Sequence, residues 1–183
     1  MDILYREHDA LRAQLAAARR LCELFETAEP LTHEVQRAWP DARTTLQELH
    51  SCLSITLPLH HRNEELSLYP RLLAANLSRP ERTLIKEIAA EHAGLELLTG
   101  VLLDVITPWL RVSIPPRHVE LPRFVGLVSE LSLHLERHIA IEDQCILPLA
   151  ATMLTAAQLD EVAAEIKKRT EPGRKPSRKP AAK

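Results

Sequence analysis

The sequence predicts an all-α protein: an up-down-up-down bundle of four long helices, then a short additional C-terminal helix and a disordered basic tail. Ala, Leu, Glu and Arg dominate the 183 residues and glycine occurs only four times, a composition that favours helices. Apolar residues recur at steps of three and four, which is the period of an amphipathic helix. β-branched residues never alternate over the length of a strand, so a sheet has little support.

Each long helix is predicted from its apolar stripe and from the prolines around it. The first covers about residues 3–27, the second starts near residue 40 and ends near Pro70, and the fourth covers about 118–148. The third begins with a Ser-x-x-Glu capping box at Ser78 and is ended or bent near residue 108. Short or moderate connections between long helices favour antiparallel neighbours.

The domain organisation follows from these elements. Residues 1–152 form the four-helix bundle, and residues 153–170 form an accessory helix that opens at Thr155-x-x-Gln158. Residues 171–183 are rich in Pro, Lys and Arg with almost no apolar side chains, so they are predicted to be disordered. Such a tail could touch nucleic acid, but no binding motif accompanies it and a solvated tail is the preferred interpretation.

One histidine–carboxylate motif occurs twice along the chain. His60-His61-Arg62-Asn63-Glu64-Glu65 is followed by an apolar pair and a proline, and His138-Ile139-Ala140-Ile141-Glu142-Asp143 repeats that order at the same offsets. A single Glu-His-x-x-Leu precedes each copy, as Glu7-His8 and Glu91-His92. The order His, HxxxE, His, HxxxE therefore runs through the four helices.

Helical geometry predicts that these side chains meet at one depth. Residues four apart lie about 40° apart around the axis and roughly 6 Å apart along it, so the His and Glu of each copy face the same way. Counted from the helix ends, the inward polar residues spread over roughly 14 Å at most, which end-setting and a kink at Pro58 could close. Three other histidines, His33, His50 and His118, fall at the opposite end. The six residues of the layer are His8, His60, Glu64, His92, His138 and Glu142.

The chemistry of this layer predicts a metal site. A single inward histidine is more often a packed core residue, and a single glutamate could be a surface acid. Two ionised carboxylates on apolar stripes, however, cost several kcal/mol each unless they are paired or metal-bound. Mixed imidazole and carboxylate ligands suit iron or manganese, with zinc possible, and two HxxxE units suggest two ions. No cysteine takes part, which disfavours a Cys-rich zinc site.

The motif order resembles that of the hemerythrin-like, HHE cation-binding family over roughly residues 3–149. The resemblance implies a left-handed four-helix bundle around a non-haem di-iron centre. It implies that Glu64 and Glu142 bridge the two irons and that the four histidines cap them. Manganese or zinc are the alternative metals.

Three positions depart from the family pattern or go beyond it. His61 stands where the family often has an aromatic residue, and it is predicted to be a partly exposed histidine because it points about 100° from His60. His134 lies one turn before His138 and is predicted to be an extra ligand, an orienting partner or a packed histidine, with the orienting role preferred. The third helix offers one histidine, His92, whereas O2-carrying hemerythrins would have a second, so a dedicated oxygen carrier is disfavoured.

Composition limits the cellular compartment and the partners that are expected for the protein. The three cysteines show no CxxC and no paired spacing, so neither a disulfide framework nor a zinc knuckle is indicated. The N-terminus does not resemble a signal peptide, no apolar run is expected to span a membrane, and the formal charge of -2 gives no general attraction to nucleic acid. We therefore expect a cytoplasmic protein without a membrane partner. Its oligomeric state is not indicated.

Three hypotheses for function follow. The preferred one is a di-iron protein that binds O2 or a related small oxidant, such as nitric oxide or peroxide, for sensing, detoxification or iron handling. The second is a di-iron oxidase or peroxide-consuming enzyme, although no separate acid-base or nucleophile constellation supports it. The third is a metal-free interaction bundle with the histidines as pH-sensitive core groups.

Overall fold

The computed structural model describes residues 2–27, 33–112 and 115–170, and every regular element within these ranges is helical. Helix α1 is Asp2–Thr27 and helix α3 is Arg79–Leu110. Helices α2 (33–74) and α4 (121–153) consist of α-helical segments joined by wider π-helical turns, and α5 is Ala156–Thr170. The segments are His33–Ser51, Leu57–Asn63 and Tyr69–Ala74 in α2, and Leu121–Ile141 and Leu147–Met153 in α4.

The prediction of an all-α protein is confirmed. Helix α2 begins at His33, earlier than predicted, because Pro40 lies inside the helix instead of starting it. Helix α1 packs against α2 and α4, and α3 packs against the same two helices. The predicted disordered tail, residues 171–183, lies outside the described residues.

The stripes predicted for α1, α2 and α3 are buried along their whole length. The stripe predicted for α4, which runs from Leu127 to Leu149 through His134 and Cys145, is wrong at these two positions, and Leu127 and Leu149 are half-buried. His134 and Cys145 are exposed. A residue next to the buried Leu135 is turned about 100° around the axis, which carries His134 to the solvent side. The π-helical turn that begins at Glu142 moves the next inward position to Ile146. The buried face of α4 contains Phe124, Val128, Leu131, Leu135, His138, Glu142 and Ile146.

Prolines inside the helices account for the wider turns. Pro58, Pro70 and Pro148 each lie within two residues of the end of such a turn. Proline has no N–H and its ring displaces the carbonyl four residues earlier, so the helix widens locally where it continues through one. Glu64 and Glu142 each begin one of these turns, and the repeated proline therefore shapes the backbone at both carboxylates. The turns are Cys52–Thr56, Glu64–Leu68 and Glu142–Ile146.

A polar layer separates two apolar clusters in the interior of the bundle. On α1, His8 lies between Leu4 of one cluster and Leu11 of the other. Helices α2, α3 and α4 repeat this order, so the polar residues of all four helices share one depth. Burying apolar area on both sides stabilises the bundle by about 25 cal/mol per Å² and shields the layer from water.

Capping side chains begin α3 and α5 as predicted. Ser78 Oγ accepts the backbone N–H of Glu81, and the Glu81 carboxylate accepts the N–H of Ser78 at 2.7 Å. Thr155 and Gln158 form the same pair of bonds at the start of α5, at 2.9 and 3.3 Å. These bonds satisfy N–H groups that have no partner within the first helical turn.

Helix α3 is long and apolar enough, by length and composition alone, to cross a membrane, whereas the sequence predicts no apolar run that does so. The mean hydropathy of its most apolar window is 1.4, and 28% of that window is buried. A single inward stripe buries about one residue in 3.6, so this share is that of a helix with one face in a protein core. Its inward stripe from Ile85 to Ile106 packs within the bundle.

Candidate metal centre

Four helices bring the six predicted residues into one buried cluster. Helices α1 and α3 each contribute a histidine, and α2 and α4 each contribute a histidine and a glutamate one turn apart. No more than 2% of the surface of any of them is exposed. The six are His8, His60, Glu64, His92, His138 and Glu142.

Glu64 directs its two carboxylate oxygens at different histidines. Its Oε1 lies 3.5 Å from His60 Nε2 and 3.8 Å from His8 Nε2. Its Oε2 lies 3.5 Å from His92 Nε2. Two ligand atoms at right angles around an ion, each roughly 2.1 Å from it, are about 3 Å apart. The observed spacings therefore leave room for a cation on either side of Glu64.

Glu142 repeats this arrangement from the opposite helix. Its Oε2 lies 3.3 Å from His8 Nε2, and its Oε1 lies 3.5 Å from His138 Nε2. Two positions result, each lined by two histidines and by both glutamates. We call them the α1–α2 position, which is lined by His8 and His60, and the α3–α4 position, which is lined by His92 and His138. Within each group the ligand atoms lie no more than 4.8 Å apart.

The atoms that face these positions have no hydrogen-bond partner among the described residues. These atoms are Nε2 of all four histidines, both oxygens of Glu64, and Oε2 of Glu142. A buried polar group without a partner costs about 1–3 kcal/mol, and a charged one costs more, so native proteins rarely leave several together. Imidazole nitrogens and carboxylate oxygens suit iron, manganese or zinc. The donor set therefore fits a pair of transition-metal ions.

A closed ring of carboxylates holds the four imidazoles in place. Each histidine donates its Nδ1–H to an acid on a neighbouring helix: His60 to Glu7 at 2.9 Å, His92 to Glu65 at 2.7 Å, His138 to Glu91 at 3.1 Å, and His8 to Asp143 at 2.6 Å. The ring runs from α1 to α2, α3, α4 and back to α1. A carboxylate on Nδ1 leaves the Nε2 lone pair free and fixes the ring orientation, as metal sites require.

The sequence analysis did not assign roles to the four acids of this ring. The signal was present, because each acid is the immediate neighbour of a predicted ligand in the duplicated motif. Glu7 and Glu91 precede His8 and His92, while two further acids follow the HxxxE glutamates. Each acid supports a histidine on another helix and not its own neighbour, a pairing that only the packing of the helices reveals.

Further side chains hold the ring from outside. Arg12 donates to Asp143 at 2.5 Å, and Asn63 donates to Glu7 at 3.1 Å. Helix α5 joins this network, because Arg169 donates to the side-chain amide oxygen Oδ1 of Asn63 at 3.2 Å. Side chains of α1, α2 and α5 thereby hold two of the four acids of the ring, Asp143 and Glu7, in place.

Tyr69 is part of the centre and not merely packing at the end of α2. It is 3% exposed, and its hydroxyl donates a short hydrogen bond to Oε1 of Glu142. Burial, together with the charges of Glu64 and Glu142, raises the pKa of the Tyr69 hydroxyl far above its ordinary value. The hydroxyl therefore stays protonated and keeps donating to the carboxylate.

His61 is buried, which corrects the prediction of a partly exposed side chain. Its ring stacks on that of His92 with centroids 3.9 Å apart and planes 7° apart. Helix α2 has α1 on one side and α3 on the other, so two consecutive residues 100° apart can both face inward, toward different neighbours. Burial and the nearby histidines, His92 first, lower the pKa of His61 to about 2.

His134 is exposed and belongs to none of the groups of potential metal ligands among the described residues, so the structure does not place it beside the six clustered residues. It lines a surface depression of about 360 Å³ together with Glu91, Glu130 and Arg137. His50 bonds Thr107 at 3.2 Å and is likewise outside the cluster. His118 is exposed, and the side chain of His33 lies outside the described residues.

Without a cation, protons would balance the buried carboxylates. Burial opposes a charge on His8, but the nearby carboxylates of Glu142, Glu64 and Asp143 outweigh it and raise its pKa to about 10. Burial also disfavours a charge on His92 and His138, but nearby carboxylates outweigh it, and the pKa values of both histidines are raised. The pKa of Glu142 is lowered despite its burial because His138 and His8 stabilise its charge. Metal ions would replace these protons as the compensating charge.

We expect Glu65→Ala to weaken metal binding by about 10- to 100-fold, because it removes the acceptor that orients His92. Glu65 is 45% exposed and has His92 as its partner, so the change leaves no buried cavity. Competition with a chromophoric chelator measures the affinity. Glu87→Ala, an exposed acid on α3, is the matched control. Equal affinities in the two variants would contradict a role for the ring.

The comparisons with known proteins place the centre in a family. The model of the hemerythrin HHE cation binding domain matches residues 1–150. No curated protein matches the chain. The matched range includes all six clustered residues and the four acids of the ring, and it leaves helix α5 outside.

Proposed function

The chain belongs to the hemerythrin HHE cation-binding family, and from this premise we propose that it binds two iron ions and, at them, O2 or a related small oxidant such as nitric oxide or peroxide. The observation that carries the proposal is the set of seven buried, unpartnered nitrogen and oxygen atoms that converge on two adjacent positions. Manganese and zinc are the alternative occupants of the same donors.

The clustered residues would have different roles in holding the two ions. Glu64 and Glu142 would each place one oxygen toward each position, since their oxygens already face histidines on different helices. The four histidines would complete the coordination through Nε2. A pair of ferrous ions supplies two electrons to a small oxidant. The ring of carboxylates would hold the imidazoles during that change, which favours a fixed ligand geometry.

The surroundings of the polar layer support the binding of a small molecule at a site that is shielded from water. Apolar clusters lie on both sides of the layer, so bulk water is kept from it. The ring of helix contacts, α1 with α2 and α4, and α3 with α2 and α4, supports the proposed up-down-up-down topology. We also propose a reducing, cytoplasmic setting, which suits a chain in which Cys22, Cys52 and Cys145 form no disulfide with one another.

Anaerobic loading followed by exposure to O2 tests the function. We expect about two ferrous ions per chain and a new visible absorption band on adding O2. A band that disappears when O2 is removed favours binding, whereas continued consumption of O2 or peroxide favours the enzymatic alternative. A chain that takes up no iron, manganese or zinc would contradict the proposal and favour the metal-free bundle.

A further inference from the structure

His61 is a buried imidazole whose two ring nitrogens both lack a partner. It is 1% exposed, and neither Nδ1 nor Nε2 has a hydrogen-bond acceptor or donor among the described residues. The four other histidines of the layer each use Nδ1 on a carboxylate. A neutral imidazole carries one N–H donor and one lone pair, and burial without partners is unfavourable for both. His61 therefore has bonding capacity that the protein itself does not use.

The position of His61 makes the two metal positions unequal. One of its ring nitrogens lies within 4.8 Å of a ring nitrogen of His92 and of a ring nitrogen of His138. Its ring centroid is 3.9 Å from that of His92 and 6.0 Å from those of both His138 and His60, so the contact with His92 distinguishes the two positions. His61 thus adjoins the α3–α4 position through His92, and among the described residues no further histidine joins His8 and His60 at the α1–α2 position.

The stacking on His92 argues against His61 as a ligand of the same ion. The lone pair of an imidazole nitrogen lies in the plane of the ring. An ion held by two rings must therefore lie in both planes. Rings stacked at 3.9 Å with planes 7° apart have no such common point near their nitrogens. A donor a few ångströms from the ligand atoms is instead placed to meet the outer atom of a small molecule held at the position.

We propose that His61 is a ligand-binding residue whose N–H donates a hydrogen bond to a small anion, of the azide or hydroperoxide class, held at the α3–α4 position. This contact makes the α3–α4 position the one that takes exogenous ligands. The inference rests on the proposed metal function. The family resemblance does not supply it, because an aromatic residue without this donor is common at the position of His61.

Azide titration of the iron-loaded full chain tests this inference. His61→Phe keeps a flat ring on His92 but has no N–H, and His61→Gln keeps a donor. We expect His61→Phe to retain its iron and to bind azide about tenfold or more weakly, since a hydrogen bond to a charged group is lost. His61→Gln should recover part of the affinity. His134→Phe, at an exposed histidine, is the control and should match the unmodified chain.

Two results would overturn the inference. Equal azide affinity in His61→Phe and the unmodified chain, with iron content unchanged, would remove the hydrogen bond while leaving the metal function intact. Loss of iron from both His61 variants, with helicity retained by circular dichroism, would make His61 a metal ligand instead. An unmodified chain that binds no iron is a third and separate outcome, since it would overturn the proposed function and this inference together.

Discussion

Replacing Glu64 with alanine is expected to remove iron from both positions. Glu64 is fully buried, and its two oxygens face histidines at both positions, so its loss deprives both ions of a ligand. A terminal histidine such as His60 faces one position only. We expect iron per chain to fall from about two to near zero in Glu64→Ala, as measured by plasma emission spectroscopy after desalting.

Glu96→Ala is the matched control for this substitution. Glu96 lies one turn after His92 on α3, and its side chain is exposed. It should keep the full complement of iron. If Glu64→Ala also kept both ions, Glu64 would not be a bridging ligand and the assignment of the two positions would be wrong.

Removing the metal is expected to destabilise the whole bundle. Ions that bind the native state alone stabilise it, by about 4 kcal/mol at a concentration a thousandfold above the dissociation constant. For a chain of this size, that corresponds to a loss of roughly 10 °C in the melting temperature. The physical reason is that chelation removes a ligand of the native state and leaves only protons on the surrounding imidazoles to balance the two buried carboxylates.

Thermal melts with and without chelator measure this effect. Glu64→Ala provides the internal comparison, because a chain that cannot be loaded should melt at the same temperature under both conditions. An unmodified chain whose melting temperature does not respond to chelator would contradict metal binding to the native state and support the metal-free alternative.

The stripes of α1 and α3 could be predicted because each is an unbroken α-helix. The stripe of α2 could be predicted because its steps of four residues, from Leu53 to Leu57 and from Glu64 to Leu68, fall at the two wider turns. The same periodicity placed His8, His60, Glu64 and His92 on inward faces, and the structure buries all four. Duplication of the motif added the residues of the fourth helix. Side-chain directions that depend on the geometry of a single helix could therefore be predicted from the sequence.

The residues that were predicted on the wrong face, His134 and His61, are those whose burial depends on how the helices pack against one another or widen. His134 looked inward because it lies four residues before His138, but the buried face of α4 passes through Leu135. His61 looked outward because a single stripe was assumed, whereas α2 contacts helices on two sides. A π-helical turn at Glu142 then changed the register of the positions after it.

The four supporting acids show the same limit. Glu7, Glu65, Glu91 and Asp143 stand beside predicted ligands in the sequence, yet each one bonds a histidine of a different helix. Their partners are 27 to 135 residues away along the chain. Spacing within one helix cannot reveal such pairs, although a repeated acid beside each repeated ligand is a signal worth testing in other helical metal proteins.

A crystal structure of the iron-loaded chain with diffraction measured at the iron absorption edge tests the central claim most directly. We predict two anomalous peaks about 3.5–4 Å apart, one between His8 and His60 and one between His92 and His138, with Glu64 and Glu142 between the peaks. A single peak, or peaks outside this layer, would contradict a pair of metal positions bridged by the two glutamates.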